Sequence, residues 1–375
     1  MSRHAPLTIL HTEASQGFGG QELRIIEESR GLLARGHRVS ILANPHSPIA
    51  DQARHHGIPV TTLPIARKNL AALKAMAQWL HQRPIDIINT HSSTDSWLVA
   101  LARQLGRTQA AIVRTRHVSV PVKNTLANRW LYGRLCAQVV TTGERLRHHL
   151  LTNLNLPEHH VQSVPTGVNL AVFKPAADTP LLRRRLKLPE RARLLGIAAT
   201  LRSWKGHDYL LAAFDRLAAD HPDLHLVIAG DGPRRQAIEE QIAQHRAHAR
   251  IHLLGHCDDV ATVLNALDLF ILPSYANEGI PQALMQAMAC GLPVISTPVG
   301  AIDEIVENGH NGLLVLPKNV NALAMAVEKL LADKALRDRL AHNALTTARQ
   351  RFDHTHMLDR MEAIFHRATT RSNTA

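Results

Sequence analysis

Glu278 is the residue of this 375-residue chain whose setting most invites chemistry. An apolar run ending at Leu272 reads as a strand, Pro273-Ser274 breaks it, and a polar loop carries Glu278 and Gly279 towards a helix expected over about residues 282–289. Pro281 suits the first helical position, where its missing N–H is not needed. Gly291 closes the helix, and PVIST follows as a second buried strand. This order turns free backbone N–H groups and the positive end of a helix dipole towards whatever lies over the loop. An anion is the natural guest. Gln286, one turn beyond Gln282, can present its amide close by. Glu278 itself can simply stabilise the helix dipole, or it can touch the guest.

Cationic side chains stand at a comparable place earlier in the chain. Arg202 and Lys205 follow the apolar strand LLGIAAT, within LRSWKGH. A cationic pair at the mouth of a parallel strand is where the charge of a diphosphate would be neutralised; the plain alternative is a solvated loop. Gly17, Gly19 and Gly20 separate the first strand from the first helix. Glycines there either make a tight turn or let backbone N–H groups approach a phosphate or sugar. This is not the dinucleotide fingerprint, because Glu22 occupies its third glycine position and no acidic residue ends the second strand. His117 follows the strand AAIVRT and His91 follows IDIINT. A histidine at a strand end is either a packed or capping residue, or one that faces a ligand.

Glu278-Gly279-Ile280-Pro281, the eight-residue step to Gln286, and the run Ala287-Met288-Ala289-Cys290-Gly291-Leu292-Pro293-Val294 closely resemble the E-x7-E region of family 4 glycosyltransferases. Those are retaining, nucleotide-sugar-dependent enzymes of GT-B architecture. The resemblance implies that Glu278 grips the donor sugar's hydroxyls beside the anomeric carbon, with Gly279, Ile280 and Pro281 bringing backbone close to sugar and phosphate. The second Glu of the pattern is Gln286 here. In the family that carboxylate accepts hydrogen bonds from the ribose of the donor; a Gln keeps an acceptor oxygen, loses the charge and adds two donors. Binding is expected to be retuned, not abolished. Gly19-Gly20-Gln21-Glu22 resembles the family's G-G-x-E loop, which puts Gly19 and Gly20 near the donor diphosphate. Lys205-Gly206 match the end of G-R-L-x-x-x-K-G, with Ala199-Thr200 in place of its Gly-Arg and Arg202 offering a guanidinium from a shifted position. The family commonly sets a histidine near the transferred sugar at the end of the strand that precedes His117. His117 and Glu278 are therefore the catalytic candidates. VPTGVNLAVFKP (164–175) resembles the interdomain signature, with Thr166 and Asn169 replacing its Asn and Asp.

No two Asp residues are separated by a single residue, so the D-x-D metal motif of the other large glycosyltransferase class is missing. Lys205, Arg202 and a helix N-terminus can stabilise a departing diphosphate without a divalent ion. No metal and no cofactor is expected; the UDP-, GDP- or ADP-linked donor is a substrate. The 25 histidines do not alter this. Adjacent doublets diverge by about 100° if helical, and the spaced pairs His221/His225 and His245/His248 lack a third ligand.

Both halves of the chain alternate short apolar strands with amphipathic helices. Strands are expected over 7–12, 37–43, 60–63, 85–90, 110–115 and 138–142, and again over 194–200, 224–230, 250–255, 267–273, 293–297 and 312–317. That alternation specifies parallel sheets covered on both faces, and the length exceeds one ordinary core. The expected class is α/β of GT-B type: two doubly wound Rossmann-like domains facing one another, over 1–175 and 176–352. Ligands would bind in an interdomain cleft beyond the carboxyl ends of the strands. A C-terminal helix within 353–375 would cross back to the first domain, as the resemblance implies.

A hydrophobic fraction of 45% and a charged fraction of 20% fit a soluble globular protein. No apolar segment reaches the roughly 18 residues a membrane helix needs, and the N-terminus is too short and too quickly strand-like for a signal peptide. Cys136, Cys257 and Cys290 form no C-x-x-C pair, as expected in a reducing cytoplasm. The net charge of +12 fits either an acidic partner or surface, or simply a basic solvated exterior. Only 3% aromatic residues and no nucleic-acid motif argue against nucleic acid. Anionic lipid at the inner membrane face fits through Arg183-Arg184-Arg185 and Lys187, so the expected location is cytoplasmic with a peripheral membrane contact. The expected activity is retaining, metal-independent glycosyl transfer from a nucleotide diphosphate sugar to a glycan, lipid-linked or lipopolysaccharide-type acceptor. The rivals are a nucleotide-sugar epimerase of the same architecture, a non-catalytic nucleotide-sugar binding protein, and a nucleic-acid binder.

Overall fold

The computed structural model describes residues 5–117, 120–176, 180–276 and 278–372. The chain divides into two units, Met1–Gly167 with Thr355–Ala375, and Val168–His354. Unit 1 contains β1 (Thr8–Glu13), β2 (Arg38–Ala43), β3 (Val60–Thr62), β4 (Ile87–Thr90), β5 (Ala111–Arg116), β6 (Gln138–Thr141) and β7 (Val161–Ser163). They form one parallel sheet in the order β3-β2-β1-β4-β5-β6-β7. Unit 2 contains β8 (Arg193–Ala198), β9 (Leu224–Ala229), β10 (Ile251–Gly255), β11 (Leu269–Leu272), β12 (Val294–Ser296) and β13 (Leu313–Leu314). Its parallel order is β10-β9-β8-β11-β12-β13. In each sheet the chain starts near the middle, steps outward, and returns to the other side of its first strand. A topological switch point therefore lies between β1 and β4 in unit 1 and between β8 and β11 in unit 2, the place where such sheets take ligands.

Continuous apolar strands make this possible. All six residues of β9 and all four of β11 are buried, as a sheet covered on both faces requires. Successive strand residues point to opposite layers. In unit 1, Leu10, Leu42, Ile88 and Ile112 pack with Ala72 and Met76 of the helix Leu70–His81 and with Leu98 and Val99 of the helix Ser93–Gln104. Their neighbours Ile9, Val39, Ile87 and Val113 pack on the other side with Met357, Met361, Ile364 and Phe365 of the final helix, His354–Ser372.

Several boundaries differ from the sequence expectation. Val168 belongs to unit 2, so the first division falls at Gly167/Val168 and not after Pro175. Val168 bridges to Asp353, donating its N–H to Phe352 O at 2.6 Å and accepting that of His354 at 3.0 Å. The two points where the chain passes between units are thus pinned side by side. Strand β7 was not anticipated, since VQS is short and carries no apolar run. Pro281 caps the helix Gln282–Ala289 with extended backbone instead of occupying its first turn. The expected linker after Pro175 lies partly outside the described residues. Among the described residues no helix is long and apolar enough to cross a membrane.

Candidate functional site

In unit 2 the loops that follow β8 and β11 are locked together beyond the switch point. Tyr275 N–H donates to Trp204 O at 2.8 Å. Gly206, at φ +80°, lies so close under the Pro273 carbonyl that a Cβ there would collide with it, and Gly300, at φ +67°, packs in the same way beneath the Glu278 carbonyl. Only glycine suits both the left-handed backbone and the close approach. Ser296 Oγ and Thr297 Oγ1 fasten the strand end from below, on Leu272 O and Ser274 O.

This packing brings Lys205 and Glu278 together. Lys205 Nζ donates to Glu278 Oε1 at 2.7 Å, and Ser274 Oγ donates to the same oxygen at 2.6 Å. Glu278 is nearly buried, its side chain 5% exposed against 19% for Lys205. Oε2 has no partner among the described residues and remains available to a ligand's donors. Gly279 and Ile280 lead from it to the helix Gln282–Ala289, whose first-turn N–H groups lack intrahelical acceptors. Gln286 sits one turn along, partly exposed, while Gln282 Oε1 is buried with no partner among the described residues. Arg202 is exposed, its guanidinium 5.1 Å from the Trp204 ring centroid. His207, next to the loop, is buried, and burial pushes its pKa down to about 4.

The unit 1 constellation runs from within β1 to the ends of β4 and β5, beside its switch point. His11 on β1, His91 after β4 and His117 after β5 stand on neighbouring strands and point into one layer. His11 Nδ1 lies 3.0 Å from His91 Nε2, and His91 Nδ1 lies 2.9 Å from His117 Nε2. Burial, reinforced for His11 by the nearby Arg24 cation, lowers the His11 pKa to about 3; His91 and His117 are held well below the ordinary value by the same desolvation. All three are therefore neutral. Asp95, buried, accepts from Thr12 Oγ1, the Ser92 hydroxyl and the N–H groups of His91 and Ser92, which fixes the start of the helix Ser93–Gln104. Glu13, also buried, takes Ser15 N–H and the Gln21 amide, and burial beside Asp95 raises its pKa to about 8.

In the glycine loop, Gly19 N–H donates to Glu22 Oε2 at 2.8 Å, which ties the start of the helix Gly20–Ala34 to its first turn. Gly20 opens the first turn of the helix Gly20–Ala34 and is exposed. Arg183, expected at a membrane surface, is instead bound to Ala192 O, Ala266 O and Asp268. Sequence reasoning missed Ser274, Tyr275 and His11. The spacing of three histidines at the ends of adjacent strands could have revealed His11, had the strand order been known.

For a metal, His37, Glu362 and His366 place ligand atoms within 4.8 Å of one another. Leu7 N–H donates to His37 Nδ1 at 3.1 Å, so that nitrogen holds the lone pair and Nε2 carries the proton towards Glu362 at 3.3 Å. His37 thus offers no lone pair to an ion.

A family model described as "Glycosyltransferase Family 4" matches residues 18–172, and one described as "Glycosyl transferases group 1" matches residues 178–347. The D-inositol 3-phosphate glycosyltransferase of Stackebrandtia nassauensis is 35% identical over 213 residues, 53% of this chain and 47% of that enzyme, so the match spans about half the relative's length. The enzyme of the same name from Nocardioides is 28% identical over 92% of this chain and 86% of its own. The solved structure of Anabaena HepE in complex with UDP-glucose matches with a TM-score of 0.82 at 22% identity, covering 96% of this chain and 99% of that one. At that identity the likeness shows the fold, which is GT-B with two Rossmann-like domains.

Proposed function

The chain belongs to the family 4, group 1 glycosyltransferases, and from that premise we propose that it moves a sugar, with retention, from a nucleotide diphosphate donor to a glycan or lipid-linked acceptor. The observation that carries this reading is the Lys205–Glu278 pair at the switch point of unit 2. Cleaving the anomeric C–O bond leaves positive charge on the sugar and negative charge on the departing phosphate. Lys205, Arg202 and the N-terminus of the helix Gln282–Ala289 act on the second, which stabilises the transition state more than the ground state. These cationic groups provide for the diphosphate without a divalent ion. Glu278 Oε2 accepts the sugar hydroxyls, and Gln286 offers its amide to the ribose. The acceptor hydroxyl attacks from the face the diphosphate leaves. Its oxygen bonds to the anomeric carbon while its proton passes to the leaving phosphate oxygen. His117 and Gly20 are assigned to the acceptor side and the phosphate.

Charge distribution favours a lipid-linked acceptor. Residues 96–143 contain seven Lys or Arg and no Asp or Glu. Within that stretch Val120, Leu126 and Trp130 are exposed beside Lys123 and Arg129. Aromatic and aliphatic side chains among cations suit an anionic membrane surface.

Thermal-shift measurements against UDP-, GDP- and ADP-sugars, followed by NMR assignment of the product anomer, test the proposal, since a ligand of the native state raises its melting point. One nucleotide series should stabilise the protein, the product should keep the donor's configuration, and Glu278→Ala should nearly abolish transfer in a folded protein. An inverted product, or full turnover by the variant, contradicts it.

A further inference from the structure

We propose that His11 and His91 form a one-way hydrogen-bonded relay that fixes His117 with its proton on Nδ1, so that His117 meets substrate as a hydrogen-bond donor and not as a base. The tautomer is a property of the folded chain; its use on substrate rests on the glycosyltransferase reading of His117.

The rings are joined edge to edge. Their centroids are 5.2 and 5.1 Å apart where the nitrogens are 3.0 and 2.9 Å apart, and the planes tilt by only 22° and 34°. Each difference is about the width of two ring radii, so the nitrogens lie close to the line between centroids and both contacts are well aligned. A neutral imidazole has one N–H and one lone pair. Two such bonds in series therefore force the three rings to share one polarity.

The buried end decides which. His11 Nε2 is buried and has no partner among the described residues. If the protons sat on Nε2 throughout, His11 would carry an unsatisfied N–H in a site that already contains the Arg24 guanidinium. Orphaned buried N–H groups are rarer and costlier than orphaned acceptors, and a cation favours a lone pair over an N–H. The protons thus sit on Nδ1: His11 donates to His91, His91 donates to His117, and His117 Nδ1–H is left for the ligand side, with no partner among the described residues. Burial keeps the rings neutral, which excludes the doubly protonated alternative at neutral pH. A His117 so fixed can donate to a sugar or phosphate oxygen but cannot take the acceptor's proton, which must leave by way of the phosphate.

The test is ring-¹⁵N NMR of the full chain at neutral pH, with the His117 signals identified by their loss in His117→Ala. A protonated Nδ1 and a lone pair on Nε2 are expected. A protonated Nε2 overturns the relay, whatever the enzyme's activity. Kinetics supply a second arm. Asn can place an amide N–H where His91 Nδ1 stands, so His91→Asn should keep most of kcat, whereas His91→Leu should lose about tenfold, the size of one hydrogen bond missing from the transition state. Equal losses in the two variants count against the relay. A His117→Ala variant that transfers at the wild-type rate, with the expected tautomer present, refutes the role given to His117 and leaves the relay standing.

Discussion

Replacing Glu278 by Gln keeps the side chain's shape and an acceptor oxygen while deleting the charge that faces Lys205 Nζ at 2.7 Å. The consequence for nucleotide binding is opposite to that for transfer. A diphosphate oxygen bonded to Nζ would lie one more hydrogen bond away from the carboxylate, about 5–6 Å. At an effective dielectric of about 20 their repulsion has a ceiling near 3 kcal/mol, which solvent in the open site reduces to roughly 1–2 kcal/mol. Glu278→Gln should therefore bind the nucleoside diphosphate about tenfold more tightly, because Lys205 no longer divides its charge. Lys205→Met should bind it roughly ten- to a hundredfold more weakly, the value of a charge-assisted hydrogen bond of about 1.5–3 kcal/mol. Transfer should fall in both, by roughly 100-fold or more for Glu278→Gln, since the contact strengthens as the sugar gains positive charge. Isothermal titration with the nucleoside diphosphate, run beside steady-state transfer assays, reads both quantities. If Glu278→Gln weakens nucleotide binding as much as Lys205→Met does, the carboxylate supports the nucleotide and not the sugar, and the reasoning fails.

Gly206→Ala forces a side chain into φ +80° and against the Pro273 carbonyl. It should cost at least about 1–2 kcal/mol, lowering the melting point of unit 2 and disrupting donor binding; an unchanged melting point would deny the close packing. Acid should weaken unit 2 through His207, whose native pKa of about 4 lies below its ordinary 6.5. That stability is complete above pH 6.5 and is lost as pH falls towards 4, so His207→Gln should flatten the decline in calorimetry between those values. Glu13 carries the opposite sign. Its native pKa of about 8 exceeds the ordinary 4.5, so its contribution is complete below 4.5 and disappears as pH rises through 8. Unit 1 of Glu13→Gln should lose less stability between pH 6 and 9 than the wild type, and an identical slope would remove Glu13 from the account.

Local pattern revealed the strands, helices and loop residues, whereas strand order hid the partnerships. Glu278 and Lys205 could each be picked out from the strand-to-helix loops that bear them. Their contact could not, because 73 residues separate them and β8 neighbours β11 only through a crossover. The same is true of the histidines: His91 and His117 drew attention at strand ends, but His11 lies inside β1, and its link to them depends on β1, β4 and β5 being adjacent. The bond from Gly19 N–H to Glu22 is local, three residues apart, and lies within the reach of sequence spacing. Arg183 shows why a run of cations is a weak guide to surface function. One member was taken up by Asp268 and two carbonyls, a demand that sequence spacing does not display.

A crystal structure with an intact nucleotide sugar tests the central claim most directly. The account predicts a diphosphate oxygen within hydrogen-bonding distance of Lys205 Nζ and a sugar hydroxyl on Glu278 Oε2 in the same complex. A donor bound with both side chains still closed on each other, and touching neither, would contradict it.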